Sequence, residues 1–294
     1  MEKATVYFTK KIDSGSLIAI YRALGKELHG KVAVKISTGE PGGHHFLQPS
    51  LIAGLTKLLN GTIAECCTAY AGKRMNPDDH WQAIKDHGFY AIAPCDIMDE
   101  AGEMEIPVDG GFHLKKNIIG AHFAHYDSML VLSHFKGHAM GGFGGALKNM
   151  SIGIGSSHGK ANIHTAGVTT DCQAMWNQFT KQDDFLESMA DACKGVIDYM
   201  GAENILYISV ANNLSVDCDC DANPHAPEME DIGIFASVDP VALDQACYDA
   251  VINSPDPGKK SLIERMDSLH GIHTVEAAEE LKLGTRNYEI VNLD

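Results

Sequence analysis

The run Ser128–Leu132 (SMLVL), together with the segment immediately after it, restricts the fold more than any other part of the chain. An apolar run without alternation needs cover on both faces, as a strand inside a parallel sheet has. It leads directly into Ser133–Thr165 (SHFKGHAMGGFGGALKNMSIGIGSSHGKANIHT), with eight glycines, four histidines, three lysines and no carboxylate. The acid-free window extends from Ser128 to Thr170, in a chain of formal net charge −16. About five or six acidic residues would be expected there at the chain's average content. A buried strand followed by a basic, glycine-rich segment predicts an anion held by lysines and backbone N–H groups, because glycine allows close backbone approach. The competing reading is a solvated loop.

The rest of the chain alternates short apolar segments with amphipathic ones. Strands are predicted at Ala4–Phe8, Lys31–Ile36, Thr62–Glu65, Phe89–Ala93, Ser128–Leu132, Ile205–Val210 and Ile232–Ala236, with a closing strand at Tyr288–Val291. Helices are predicted at Ser16–His29, Pro49–Leu59, His80–Asp86, Asp184–Met200, Pro240–Asn253 behind an Asp239 cap, Leu262–Leu269 and Val275–Leu281. Asp96–Gly111 reads as a polar excursion, and Ile118–His125 fits a helix or an extended segment equally. This alternation predicts an α/β fold with a mostly parallel sheet flanked by helices. The expected organisation is one α/β domain over residues 1–294, with room for two lobes around a cleft near 133–165. In such sheets ligands sit at the carboxyl ends of strands. The loops after Ile36, Glu65 and Leu132 are therefore expected to line one cleft.

Strong acidity argues against nucleic acid as a partner. No apolar run is long enough for a membrane span, and MEKATVYFTKK has no signal-peptide core, so the expected location is cytoplasmic. In that compartment the eight cysteines are expected as free thiols or metal ligands rather than disulfides. Cys218 and Cys220, in Asp217–Asp221 (DCDCD), are candidate metal ligands that need completion from elsewhere, with His225, Asp217, Cys66 and Cys67 as candidates. The structural alternative is an acidic loop with buried thiols and solvated Asp219 and Asp221. The glycine cluster lacks the Walker A pattern, and no GxGxxG opens a helix after the first strand. His138, Lys148 and His164 bring an amine and two imidazoles into one segment, suited to acid–base chemistry or metal binding near neutral pH.

HFKGHAMGGFGGALKN, GSSHGKANIH, DCDC and DIGIFASVDPVALDQA resemble the family labelled domain of unknown function 362. Many of its members carry a ferredoxin-like insert with C-x-x-C-x-x-C-x-x-x-C-P runs after the histidine matched by His164. This chain has TAGVTTDCQAMWNQF there and no C-x-x-C, so a ferredoxin-type cluster is not expected. A more distant resemblance is to lactate racemase, which holds a nickel-pincer nucleotide. That resemblance implies a tethering role for Lys148, a nickel-ligating role for His164 and proton transfer by His138, with Gly144, Gly145 and Gly153 around the lysine. Ile152 stands where the racemase has proline, and Thr68–Arg74 (TAYAGKR) is the nearest match to its Asp-Thr-Arg-Pro segment.

The sequence thus predicts a metal- or metal-nucleotide-binding enzyme acting on a small anionic molecule or nucleotide. His138 and Lys148 would be catalytic. Lys136, Gly144, Gly145, Lys148, Asn149, Gly153 and Lys160 would bind the cofactor, and His164, Cys218 and Cys220 the metal. Two alternatives stand beside it: a non-catalytic anion-binding or redox-partner protein, and an iron–sulfur protein using Cys218 and Cys220. The substrate and the metal stay open, and a homo-oligomer is compatible with the sequence.

Overall fold

The computed structural model describes residues 3–294. From the amino end come β1 (Ala4–Thr9), α1 (Ser14–Ala23), β2 (Val32–Lys35), α2 (Pro49–Leu58), β3 (Thr62–Glu65), α3 (Pro77–Asp86), β4 (Cys95–Ile97), β5 (Glu103–Pro107), β6 (Lys116–Gly120) and β7 (Ser128–His134). The acid-free segment then forms the hairpin β8 (Lys136–His138) and β9 (Gly142–Gly144), followed by α4 (Ala146–Ser151) and α5 (Ser157–His164). The chain continues through α6 (Gln182–Met200), β10 (Ile205–Ala211), β11 (Gly233–Ser237), α7 (Pro240–Ile252), α8 (Lys259–Ser268), α9 (His273–Glu280) and β12 (Tyr288–Asn292).

Eight strands form one sheet in the order β12-β1-β11-β10-β7-β2-β3-β4. From β10 to β4 every neighbour is parallel, and β11 is antiparallel to both β10 and β1. The fold is therefore α/β with a mostly parallel sheet and flanking helices. The continuous run of β7 lies at its centre, where Leu130 registers with Val34 on one side and Leu206 on the other. Strand alternation divides the buried side chains into two cores. Val34, Leu130, Leu132, Leu206 and Ile208 pack with Leu17, Ile20, Ile52 and Leu55 of α1 and α2. Ala33, Met129, Val131 and Tyr207 pack on the opposite face with α4, α6 and α7 residues such as Leu147, Val196 and Val241. Each fully buried Leu or Ile contributes about 1.5–3 kcal/mol, so the two covered faces of β7 anchor the centre of the sheet.

The structure corrects or refines four local readings. Phe89–Ala91 is a 3₁₀ turn rather than a strand, because Gly88 takes φ 84 to end α3 and strand pairing begins only at Cys95. Residues 118–125 are extended and then helical: β6 ends at Gly120 and a 3₁₀ turn covers Ala121–His125. The polar excursion contains β5, which forms a two-stranded antiparallel sheet with β6. The first helix also stops at Ala23, ahead of Gly25 at φ 64, well short of His29. Asp239 does cap α7, accepting from Val241 and Ala242 N–H at 2.9 Å each.

Candidate functional site

A cavity of about 320 Å³ opens at the carboxyl ends of β2, β3, β7 and β10. The loops after β2, β3 and β7 meet there, as the parallel topology predicts. So does the β10–β11 connection, which carries Cys218, Asp219 and Cys220.

Most charges in the cavity wall neutralise one another. Lys35 Nζ lies 3.4 Å from Glu65 and 3.2 Å from Asn149 Oδ1. Arg74 reaches Glu65 at 3.4 Å and Glu40 at 2.8 Å, and Tyr70 donates a short hydrogen bond to Glu40. Burial opposes ionisation of Glu65, but the Lys35 and Arg74 charges overcome it and bring the carboxyl to about 2. This network joins strand ends and loops far apart in sequence across the cavity wall.

Asp219 lies 2.9 Å from both His134 Nδ1 and Lys136 Nζ. Asp219 is buried, against the expectation of a solvated side chain. Its partners bring the carboxyl to about 2 against the effect of burial. The pairing also removes Lys136 from the set of free cations: its amine is buried between Asp219 and the His45 carbonyl, and it does not line the cavity. A segment without carboxylates of its own has met one brought by the loop after β10.

Lys148 differs from these. Its amine lines the cavity and has no hydrogen-bond or ion-pair partner among the described residues. Burial lowers its pKa to about 8, against a partial counter-effect from Asp219. His138 and His164 also line the cavity. Burial, then the Lys148 charge, pushes His138 well below the usual histidine range. Burial brings His164 to about 4, although its bond to the Lys160 carbonyl acts in the other direction. Both rings are neutral at pH 7, and backbone contacts assign their tautomers. His138 Nδ1 accepts from the N–H groups of Met140 (3.2 Å) and Gly141 (2.9 Å), so its proton sits on Nε2. His164 Nδ1 lies 2.7 Å from the Lys160 carbonyl and donates to it, leaving Nε2 with a free lone pair. One ring is held as a donor and the other as an acceptor. His164 is fixed further by stacking on Phe185, with centroids 4.8 Å apart.

The scaffold around Lys148 is built from close backbone approaches. Asp244 of α7 accepts from Ala146 N–H (2.7 Å) and Leu147 N–H (2.9 Å), capping α4 from another element. Burial raises its carboxyl to about 7 despite those bonds. Asn149 donates to the Lys35 carbonyl at 3.0 Å and to Ser133 Oγ at 3.1 Å, tying α4 to the ends of β2 and β7. A side chain at Gly137 would place Cβ 2.3 Å from the Val216 carbonyl, so glycine there lets the hairpin touch the cysteine-bearing loop. Gly144, Gly145 and Gly153 all line the cavity, as does Lys160, whose amine donates to the Gly155 carbonyl at 2.5 Å.

Cys218 and Cys220 are joined as a disulfide, departing from the expectation of free thiols. Joined sulfurs are not thiolate ligands, so a metal role for this pair belongs to its reduced form. His138, outside the expected completing residues, places one ring nitrogen and both sulfurs within 4.8 Å of one another. His225 instead pairs with Asp217 at 2.5 Å, its imidazole exposed. The other six cysteines are free thiols.

Sequence reasoning missed Lys35, Glu65, Arg74, Tyr70 and the half-exposed Trp176 as cavity residues. Signals for the first two were present: a lysine and a glutamate at the carboxyl ends of apolar strands, in VAVK and TIAE. Arg74 and Tyr70 belong to the TAYAGKR segment matched to the racemase motif.

The fold and site define an α/β protein with a ligand-sized cleft at the carboxyl edge of its sheet. The chain belongs to the DUF362 family, a domain of unknown function, which matches residues 32–249. No curated protein matches it. Among solved structures it is similar to the lactate racemase apoprotein from Thermoanaerobacterium thermosaccharolyticum, at 14% identity and TM-score 0.46, over 83% of this chain and 56% of that one. A Thermotoga maritima protein solved by structural genomics is similar at 13% identity and TM-score 0.46, over 81% and 57% of the two chains. The chain therefore spans little more than half the length of either. No helix among the described residues is long and apolar enough to cross a membrane.

Proposed function

We propose that this chain is a cofactor-dependent enzyme acting on a small anionic substrate, with its chemistry centred on Lys148. The observation that carries this reading is an amine without a counter-ion, at about 8, beside two neutral imidazoles of opposite hydrogen-bonding polarity. An unpaired lysine in a desolvated cavity is stabilised by an arriving carboxylate or phosphate through charge-assisted hydrogen bonds. Lys160, which pairs with no carboxylate among the described residues, adds to the same field. His164 Nε2 suits a base or a metal ligand, since its Nδ1 donates to a backbone carbonyl as ligating histidines do. His138 Nε2–H suits a hydrogen-bond donor to negative charge on the substrate.

The racemase resemblance suggests a nickel-pincer nucleotide, and the residues fit one: Lys148 has a free amine for a tether, and His164 has a free nitrogen for the metal. Such a group, when bound, would supply a hydride acceptor. The chain's own contribution would be to anchor the anion at Lys148 and Lys160, keep it out of water, and hold a hydrogen-bond donor at His138 and a proton acceptor at His164. The test is intact-mass and metal analysis of protein purified from its own host. A covalent adduct lost in Lys148→Ala, with stoichiometric metal lost in His164→Ala, is the expected result. Unmodified, metal-free protein from that source would contradict cofactor dependence.

A further inference from the structure

We propose that Cys218 and Cys220 form a redox-active disulfide that exchanges with small dithiols entering the cavity. The inference shares His138 with the anion reading but does not depend on Lys148, so it would stand if Lys148 bound nothing.

Both cysteines line the cavity, and Cys218, 8% exposed, is the less accessible residue of the two. The Cys220 backbone N–H lies 3.2 Å from Cys218 Sγ and donates to it. A His138 ring nitrogen stands within 4.8 Å of both sulfurs, and the ring's proton is on Nε2. The reachable sulfur is thus the one an incoming thiolate would attack, while the buried one has donors beside it to receive the departing electron pair. The buried free thiols have the opposite surroundings. Cys66 and Cys193 donate to the carbonyls of Ile154 and Leu147, and burial raises the pKa of both well above the ordinary value. Those thiols are inert by construction.

The step balances. A thiolate of the dithiol bonds to Cys220 Sγ, the Cys218–Cys220 bond breaks, and its electron pair leaves on Cys218 Sγ. The Cys220 N–H and the His138 Nε2–H stabilise this thiolate by hydrogen bonding, and it takes up the proton that the dithiol released to solvent. The second thiolate of the reductant then displaces Cys220, closing the reductant's own disulfide. One dithiol loses two electrons and two protons, and the protein pair gains both.

The test uses the full folded chain, air-oxidised and then exposed anaerobically to dithiothreitol. Samples are quenched in acid, alkylated in denaturant and read by mass. The peptide holding Cys218 and Cys220 should pass from unlabelled to doubly labelled while the circular dichroism of the folded chain is retained. His138→Leu should slow this conversion about tenfold, in line with a lost hydrogen bond to a charged group. In Cys218→Ser, the remaining Cys220 should trap an aromatic disulfide as a mixed disulfide faster than Cys218 does in Cys220→Ser. Labelling at time zero would overturn the proposal, as would reduction only after unfolding, a rate indifferent to His138→Leu, or preferential trapping at Cys218.

Discussion

Lys148 holds a charge that the folded chain does little to accommodate. Its amine is near 8 when folded and 10.5 when free, so the folded state binds the proton less tightly. Below about pH 8 both forms are protonated and the full cost of the desolvated ammonium is present. As pH rises from 8 to 10.5 that cost is relieved, because the folded chain has lost a proton the unfolded one still holds. Lys148→Met should therefore stabilise the protein by about 1–3 kcal/mol at pH 7, with the gain fading by about pH 10.5. Urea unfolding at the two pH values checks this, and equal midpoints for parent and variant at pH 7 would contradict it. Glu65 is the opposite case, a carboxylate facing two cations. Glu65→Gln should cost about 3–5 kcal/mol, as breaking a buried ion pair does, measured by the same unfolding curves. The sequence made Lys148, His138 and His164 legible because they share one acid-free segment. It hid Lys35 and Glu65, whose charges end otherwise apolar strands, and it misplaced Lys136 because the partner Asp219 lies on another loop.

Among the elements, α4 is the one that aims the site. Its six residues are too few for independent stability, so Asp244 and Asn149 hold it from outside. Asp244→Ala would leave the Ala146 and Leu147 N–H groups without their acceptor. The expected loss is about 1–2 kcal/mol, typical of a removed cap, together with weaker anion binding as Lys148 moves. A variant that loses stability but keeps the parent affinity would separate α4 from the site. The hairpin offers a second check. Gly137→Ala would drive Cβ into the Val216 carbonyl, costing about 1–3 kcal/mol by overpacking. Thermal unfolding measures it. The strands of the parallel centre were readable from apolar runs alone. The 3₁₀ turn at Phe89 was not, because a short apolar run reads the same in either conformation until Gly88 is known to take a positive φ.

For the whole molecule, the parallel centre of the sheet decides where everything gathers. β2, β3, β7 and β10 point their carboxyl ends the same way, so four loops separated by many residues share one cavity. The alternating pattern made this edge foreseeable. The acids that cross it, Glu40, Glu65 and Asp219, were not foreseeable, because segment composition says nothing about what a neighbouring strand delivers. The net charge of −16 repels anions at long range, but salt screens that repulsion beyond about 8 Å, inside which the unpaired amine dominates. The most direct measurement is calorimetric titration of inorganic phosphate into the protein at pH 7 and low salt, for the parent, Lys148→Ala and Lys160→Ala. The parent should bind, Lys148→Ala should lose about tenfold or more in affinity, in line with a lost charge-assisted hydrogen bond, and Lys160→Ala should lose less. No detectable binding by the parent, or equal affinity in Lys148→Ala, would contradict an anion site at Lys148.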